Sequence, residues 1–303
     1  MRILLTGATG FLGSYLAKAL VARGHDVAVL RRREADPWRL ADILDKVQQI
    51  DGGFDDLAAI RPALEGFRPE AAAHLGWRGV GNIDRDNPVQ AQNIVDAVQL
   101  ARLCAELGVA SFIGAGSQAE YGPYPRAIEE DDAARPTTLY GHAKLCAGTM
   151  VAHMARQAGM RFAWLRVFST YGPKDADTWL IPSLIKTLRA GRRMALTGCE
   201  QRWGFLHARD AAAAFCLALE NPQASGILNL GADDAPPLKN TVMALRDLVN
   251  PSAELGFGDI PYRPDQVMIL QAGISKLAKL GWKPQIDLQT GLRETAAWYV
   301  EQP

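Results

Sequence analysis

At residue 6 an apolar run, Ile3 to Leu5, breaks into Thr6-Gly7-Ala8-Thr9-Gly10-Phe11-Leu12-Gly13, and no other stretch limits the fold as tightly. Glycines at 7, 10 and 13 let a strand turn sharply, and Phe11 to Arg23 carries the apolar spacing of a helix. A strand that passes straight into a helix re-enters its sheet by a parallel crossover. The turn therefore points to an α/β fold from its first dozen residues.

Alternation extends this reading. After Phe11 to Arg23 come a strand at Val27 to Leu30, a helical stretch near Pro37 to Lys46, a strand at Val47 to Ile50 and a helix near Leu57 to Leu64. Ala71 to Leu75, a long helix from Pro88 to Leu107 and Ser111 to Gly114 follow, and Gly108 ends the long helix. In that helix Val95, Val98, Ala101, Leu103 and Ala105 read as the apolar stripe, with Asp96, Gln99, Arg102 and Glu106 on the polar side. The expected fold class is α/β, a Rossmann-type doubly wound parallel sheet with a smaller C-terminal substrate-binding lobe. Residues 1–167 form the dinucleotide-binding domain, with a segment near 206–230 returning to it through a strand at Gly226 to Leu230. Residues 168–303 form mainly the substrate lobe.

Composition removes several functions. Lys+Arg and Asp+Glu both total 33, so no net field draws the chain to nucleic acid or to an anionic membrane. No apolar run reaches the length of a membrane span or a signal segment, and a cytoplasmic protein is expected. Cys104, Cys146, Cys199 and Cys216 lack the spacing of a metal site or a disulfide framework and read as buried free thiols. No metal is expected.

The glycine turn brings backbone N–H groups close to where a pyrophosphate would lie, at the positive end of the following helix. Gly7, Thr9, Gly10, Phe11, Leu12 and Gly13 are therefore the expected dinucleotide contacts. Where the second strand ends, an NAD site places a carboxylate for the ribose 2′-hydroxyl. Here Leu30 runs into Arg31-Arg32-Arg33, and guanidinium groups suit a 2′-phosphate instead. NADP(H) is preferred on this reading, with NAD(H) possible, Arg31 and Arg32 as contacts, and Asp51 placed to accept from the adenine amino group.

Tyr140-Gly141-His142-Ala143-Lys144 places a phenol and an ammonium four residues apart, on one face of a helix. A phenol titrating near pH 10 is a weak acid-base group at neutral pH, and an adjacent ammonium lowers that value. Ser117, in a loop after the strand at Ser111 to Gly114, can hold a substrate oxygen. Ser117, Tyr140 and Lys144 are the catalytic candidates for hydride-transfer chemistry. His142 and His207 read as helix-surface and loop residues.

These landmarks resemble the extended short-chain dehydrogenase/reductases, in particular the NAD(P)-dependent epimerase/dehydratase group acting on nucleotide sugars. The resemblance extends through His74-Leu75-Gly76-Trp77, Ser117-Gln118-Ala119-Glu120-Tyr121-Gly122, Arg166 to Pro173, and Leu280-Gly281-Trp282-Lys283-Pro284. It implies that Leu75 and Gly76 join the cofactor site and that Lys144 holds the nicotinamide ribose. It implies substrate contacts from Trp77, Ser117, Gln118, Ser169, Arg202 and Arg263, the two arginines clasping the diphosphate, and places Asn93 on the helix beneath the active site. It also implies a homodimer built from the long helix and the helix of Tyr140. Dehydratases of this group carry an Asp-Glu pair after the catalytic residue; Gln118-Ala119 stands here instead, which argues against water elimination.

The leading expectation is an NADPH-dependent reductase of a keto group, at C4, on a nucleotide-linked deoxysugar. The alternatives are a nucleotide-sugar 4-epimerase using bound NAD(P), and a non-catalytic NADP-binding sensor, which has no need of Ser117, Tyr140 and Lys144.

Overall fold

The computed structural model describes residues 1–263 and 266–301. β1 (Arg2–Thr6) enters the glycine turn and α1 (Phe11–Ala22); β2 (Asp26–Arg31), β3 (Gln48–Asp51), α2 (Leu57–Phe67), β4 (Ala71–His74) and α3 (Val89–Glu106) follow. Then come β5 (Ser111–Ser117), α4 (Leu139–Gln157), β6 (Arg161–Val167), β7 (Ser169–Tyr171), α5 (Leu180–Arg189), β8 (Met194–Leu196), β9 (Arg202–Trp203) and β10 (Phe205–His207). The chain continues through α6 (Ala208–Glu220), β11 (Gly226–Leu230), α7 (Leu238–Val249), β12 (Leu255–Phe257), β13 (Ile269–Leu270), α8 (Ser275–Lys279) and α9 (Leu288–Glu301).

Seven of these strands form one sheet in the order β3-β2-β1-β4-β5-β6-β11, every neighbouring pair parallel. The chain order reverses between β1 and β4, and a crevice at such a point is where α/β sheets bind ligands. One face of the sheet packs Leu16, Leu20 and Phe215 of α1 and α6; the other packs Leu100, Cys104 and Val151 of α3 and α4. A third apolar cluster joins α5, α7 and α9 through Leu184, Leu188, Val242, Leu245 and Leu292. No helix among the described residues is long and apolar enough to cross a membrane.

Four sequence expectations need correction. The stretch near Pro37 to Lys46 is two 3₁₀ turns, Trp38–Leu40 and Leu44–Lys46. Its buried residues Leu40 and Ile43 stand three apart, the spacing that a 3₁₀ turn stacks in line. The apolar stripe of α3 is rotated from the expected one: Val95 is exposed, whereas Asp96 is buried because Arg78 Nη1 reaches it at 2.6 Å. β5 runs on to Ser117, so that residue ends a strand and does not lie in a loop. Cys146 is exposed, unlike the other three thiols.

A tether crosses the molecule beside the glycine turn. Arg39 donates to the carbonyls of Thr9 (3.3 Å) and Lys174 (2.9 Å), Tyr15 to that of Pro173 (2.9 Å), and Tyr299 of α9 to that of Asp175 (2.7 Å).

The fully buried indole of Trp164, on β6, occupies space left by three glycines. A Cβ at Gly114 or Gly116 would overlap its ring, and one at Gly148 of α4 would lie 2.9 Å from it. Gly114→Ala should therefore destabilise the fold by about 1–3 kcal/mol through overpacking. Gly66→Ala, in α2 with nothing within 4 Å of the new methyl, should be neutral or stabilising by up to about 1 kcal/mol. Urea unfolding midpoints of the two variants against the wild type give the comparison.

Candidate active site

The cofactor cradle follows from close backbone approach. Gly7 has φ 77°, and a Cβ there would lie 2.6 Å from the Gly76 nitrogen and the Leu75 carbonyl carbon. A Cβ at Gly13 would overlap the Gly7 carbonyl oxygen. These glycines bring the ends of β1 and β4 together, where Leu75 N–H donates to Thr6 O at 3.2 Å and Gly76 N–H to Thr6 Oγ1 at 3.1 Å. Thr6 Oγ1 also meets His74 Nδ1 at 2.8 Å; burial pushes the His74 imidazole down to about 3, so it is a neutral partner. At the N-terminus of α1, Gly10 caps without a side chain, so no capping side chain takes up the N–H groups that open the helix. An uncluttered helix start against a cradle that any Cβ would fill suits a dinucleotide pyrophosphate.

The three catalytic candidates converge at the end of β5. Tyr140 opens α4, where its N–H donates to the Arg85 carbonyl at 2.8 Å, and the Ser117 side chain lies beside its phenol. Lys144, one turn on, donates from Nζ to the Ala115 carbonyl at 2.7 Å. Burial holds the Tyr140 phenol above its ordinary value, opposed by the Ser117 side chain beside it and by the Arg85 charge, while Glu120 adds to the rise. The opposing charge thus comes from Arg85, and the effect expected of Lys144 on this phenol is not among those causes. Burial also pushes the Lys144 ammonium down to about 7, with Glu120 pulling it back up.

Trp77 packs this group from the β4 side. Its ring face lies 3.7 Å from Lys144 Nζ, its edge meets Tyr140 with ring centres 6.2 Å apart, and its indole N–H is held by Gln90 Oε1 at 2.8 Å. Asn93 steadies the same loop by accepting from Arg78 N–H (2.9 Å) and donating to Arg78 O (3.0 Å).

Beneath Ser117 lies a residue the sequence motifs did not single out. Glu120 is buried, and its carboxylate accepts from Ser117 N–H (2.8 Å), Trp164 Nε1 (2.9 Å) and Arg166 Nε (2.6 Å). The Ser117 hydroxyl accepts from Ala119 N–H at 3.2 Å, so Ser117 and Glu120 form a capping box over the turn Gln118–Glu120. A Ser followed three residues later by Glu is the signal in the sequence that could have found it.

The remaining candidates are more dispersed. Arg31 is committed to Gln49 Oε1 (3.1 Å) and Asp51 (3.1 Å), so two expected cofactor contacts bind each other; Arg32 is exposed beside Glu34. Gln118 and Ser169 are half-buried, at the start of the turn after Ser117 and of β7. Arg202 is exposed on β9, and Arg263 is exposed near Arg85, whose ionisation it opposes. His142 lies exposed on α4, whereas His207, expected on a loop, is buried at the end of β10, with burial holding it down to about 4.

A parallel sheet with a glycine cradle at its switch point and Ser, Tyr and Lys at the end of β5 defines a nicotinamide-cofactor enzyme of the extended short-chain dehydrogenase/reductase class. The chain belongs to the NAD dependent epimerase/dehydratase family, whose profile matches residues 3–231. Its sequence is 29% identical to UDP-glucose 4-epimerase of Corynebacterium glutamicum, over 98% of this chain and 95% of that protein. It shares its fold with UDP-N-acetylglucosamine 4-epimerase from Methanobrevibacter ruminantium in complex with UDP-N-acetylmuramic acid, at TM-score 0.91 and 22% identity over 100% of this chain and 99% of that one. It also matches the UDP-glucose 4-epimerase of Thermus thermophilus in complex with NAD, at TM-score 0.86 and 23% identity over 99% of each chain.

The low proton affinity of Lys144 has a measurable consequence. An unfolded lysine keeps its proton up to about 10.5, whereas the folded one loses it near 7, so the unfolded chain binds the extra proton between these values. Lys144 therefore costs stability below about pH 7, and the cost fades as pH rises toward 10.5. Lys144→Met should gain stability relative to wild type at pH 6 compared with pH 10. Urea unfolding of both proteins at the two pH values checks this, since effects independent of pH cancel.

Proposed function

We propose that the protein is a nucleotide-sugar 4-epimerase. The observation that carries this reading is the meeting of the end of β5, with Ser117, and the first turns of α4, with Tyr140 and Lys144, where Lys144 Nζ reaches the Ala115 carbonyl at 2.7 Å, together with Gln118-Ala119 where a dehydratase needs its acid and base. The kinship over nearly the full length of a UDP-glucose 4-epimerase favours epimerisation over the ketoreductase that the sequence alone ranks first.

A nicotinamide, when bound, supplies hydride acceptance and return at the sugar carbon. Ser117 Oγ holds the C4 oxygen, and Tyr140 Oη, acting as the phenolate, takes the hydroxyl proton as the carbonyl forms, then returns it after the ring has presented its other face. The Lys144 side chain lies one helical turn on, held between the Ala115 carbonyl and the Trp77 ring, and would hold the nicotinamide ribose when the cofactor binds. Burial of Tyr140 and Lys144 excludes water that would compete for the proton.

The ketoreductase remains the second reading because of Arg31 to Arg33. With Arg31 held by Asp51, a preference for NADP(H) rests on the exposed Arg32 and Arg33, and NAD(H) is also accepted. Homodimerisation and a cytoplasmic location belong with this function: Val95 of α3 and Met150 of α4 are both exposed apolar residues on the helices expected to pair. Light scattering at micromolar concentration tests the dimer.

Purified protein incubated with UDP- and dTDP-hexoses is expected to interconvert the C4 epimers without added NADPH, and Tyr140→Phe to slow this by about 10²–10⁴-fold with cofactor affinity unchanged. Stoichiometric NADPH oxidation by a 4-keto sugar, with no interconversion, selects the ketoreductase. Titration of the Arg32→Ala/Arg33→Ala variant should show about tenfold weaker NADPH binding and unaltered NADH binding, the loss of about 1.4 kcal/mol that a single charge-assisted contact supplies.

A further inference from the structure

The Lys144 ammonium is enclosed more fully than its hydrogen bonding accounts for. The side chain is buried, and among the described residues a single carbonyl, that of Ala115 at 2.7 Å, accepts from Nζ. An ammonium carries three N–H donors, and taking water away from the others is costly. Aromatic rings stand in the place of that water. The centre of the Trp77 ring lies 3.7 Å from Nζ, and those of Tyr140 and Trp164 lie at 5.9 Å and 6.0 Å. A cation within about 6 Å of a ring centre is attracted to the negative face of the ring, and indole is the strongest such partner. Of the three rings, only that of Trp77 is in direct contact with the ammonium.

The mounting of this ring is as definite as its contact. Gln90 of α3, 1% exposed, accepts at Oε1 from the Trp77 indole (2.8 Å) and from Asn93 Nδ2 (3.3 Å), and donates from Nε2 to the carbonyls of Gly79 (2.7 Å) and Asp84 (3.0 Å). Every hydrogen bond open to an amide is made, so the group cannot turn over and offer its nitrogen to the indole. The Trp77 ring also meets Tyr140 edge to face, at 87° and 6.2 Å between centres. Its N–H is thus pinned by α3, its face covers the lysine of α4, and its edge meets the tyrosine one turn earlier. Any bulky apolar side chain would fill the space, but none would bring an anchored π face to the cation.

We propose that Trp77 is a positioning residue of this site: its indole face holds the Lys144 ammonium against the Ala115 carbonyl, so that the loop between β4 and α3 fixes where the cation stands. This role differs from the substrate contact that the family resemblance implies for Trp77; its consequence for turnover rests on the epimerase reading, whereas the contact itself does not. The titratable groups facing the ammonium are Glu120 from the turn after β5, His74 from β4, which burial keeps neutral, and Tyr140 from its own helix. Burial drives the Lys144 proton off, toward about 7, and Glu120 draws it back. The ring face works in the same direction as Glu120, because it attracts only the charged form.

Two measurements on the full chain test this. The first is urea unfolding of wild type, Trp77→Leu, Lys144→Met and the double variant, which isolates the coupling between the two side chains. At pH 6, with the folded lysine charged, the coupling is expected to favour the folded state by about tenfold in the folding equilibrium, and to vanish at pH 9, where the folded lysine is neutral. No coupling at pH 6, or the same coupling at both pH values, overturns the proposal, since packing alone does not depend on the proton. The second is the pH profile of UDP-hexose interconversion. Losing the π face lowers the proton affinity of Lys144, so the alkaline limb of kcat should move about one pH unit lower in Trp77→Leu. A limb that stays in place, with only KM for the sugar raised, makes Trp77 a substrate contact and overturns the proposal; a limb that moves higher makes the ring a barrier to water and also overturns it. Trp77→Phe, which keeps a ring face without the Gln90 anchor, should fall between, and it carries both comparisons if Trp77→Leu does not fold. Charge-dependent coupling in a protein that interconverts no sugar keeps the contact and removes the epimerase reading. Absent coupling beside normal wild-type interconversion does the opposite.

Discussion

The buried ion pair between Glu120 and Arg166 is the constraint on which the active end of the sheet depends. Glu120 is 1% exposed and Arg166 5%, so neither charge is compensated by water. Removing one member of such a pair leaves the other uncompensated, at a cost of about 3–5 kcal/mol. Here the pair is also the frame of the site. One Glu120 oxygen holds the Ser117 N–H and the Trp164 indole while the other takes Arg166, so β5 and β6 end in register with the turn that aims the Ser117 hydroxyl. Arg166 in turn lies over the Tyr121 ring at 4.2 Å, and the Tyr121 hydroxyl donates to Asn229 of β11 at 2.8 Å. One acid thus ties three neighbouring strands together under the candidate catalytic groups. A hydrophobic substitute would pack as well but would not fix the direction of the Ser117 backbone.

On the opposite wall the same logic uses neutral groups. Gln90 and Asn93, both buried on α3, spend their amides on the loop that carries Trp77 and Arg85. A loop whose carbonyls and indole are satisfied by a helix has few alternative positions. The two walls therefore present Tyr140 and Lys144 in one arrangement before any substrate arrives, which is the preorganisation that electrostatic catalysis needs.

The sequence made legible whatever is local. The glycine turn, the alternation of strand and helix, and the spacing of Tyr140 and Lys144 are each set by residues within a few positions of one another, so the parallel sheet and three candidate site residues that the fold brings to one place could be read directly. What escaped involves partners far apart in the chain. Glu120 meets Arg166 forty-six residues on, Lys144 meets Trp77, and Asp96 is buried only because Arg78 accompanies it. An acid on a helix reads as solvent-facing until its cation is located, which is why periodicity alone misplaces the stripe of α3. Arg31 shows the reverse. It reads as a free anion binder at a strand end, yet parallel pairing with β3 sets Asp51 beside it.

The tether through Arg39 gives the fold a mechanical property. The carbonyl of Thr9 in the glycine turn and that of Lys174 share one guanidinium, and the residues on either side of Lys174 are in the grip of Tyr15 and Tyr299. Any outward swing of α9 must stretch or break this line of contacts before the glycine turn is released. Linkage makes the relation reciprocal: whatever free energy a dinucleotide gains from a taut turn, the C-terminal helix gains in resistance to fraying. The hold on a bound dinucleotide and the seating of the last helix would, in this architecture, be two measurements of a single coupling.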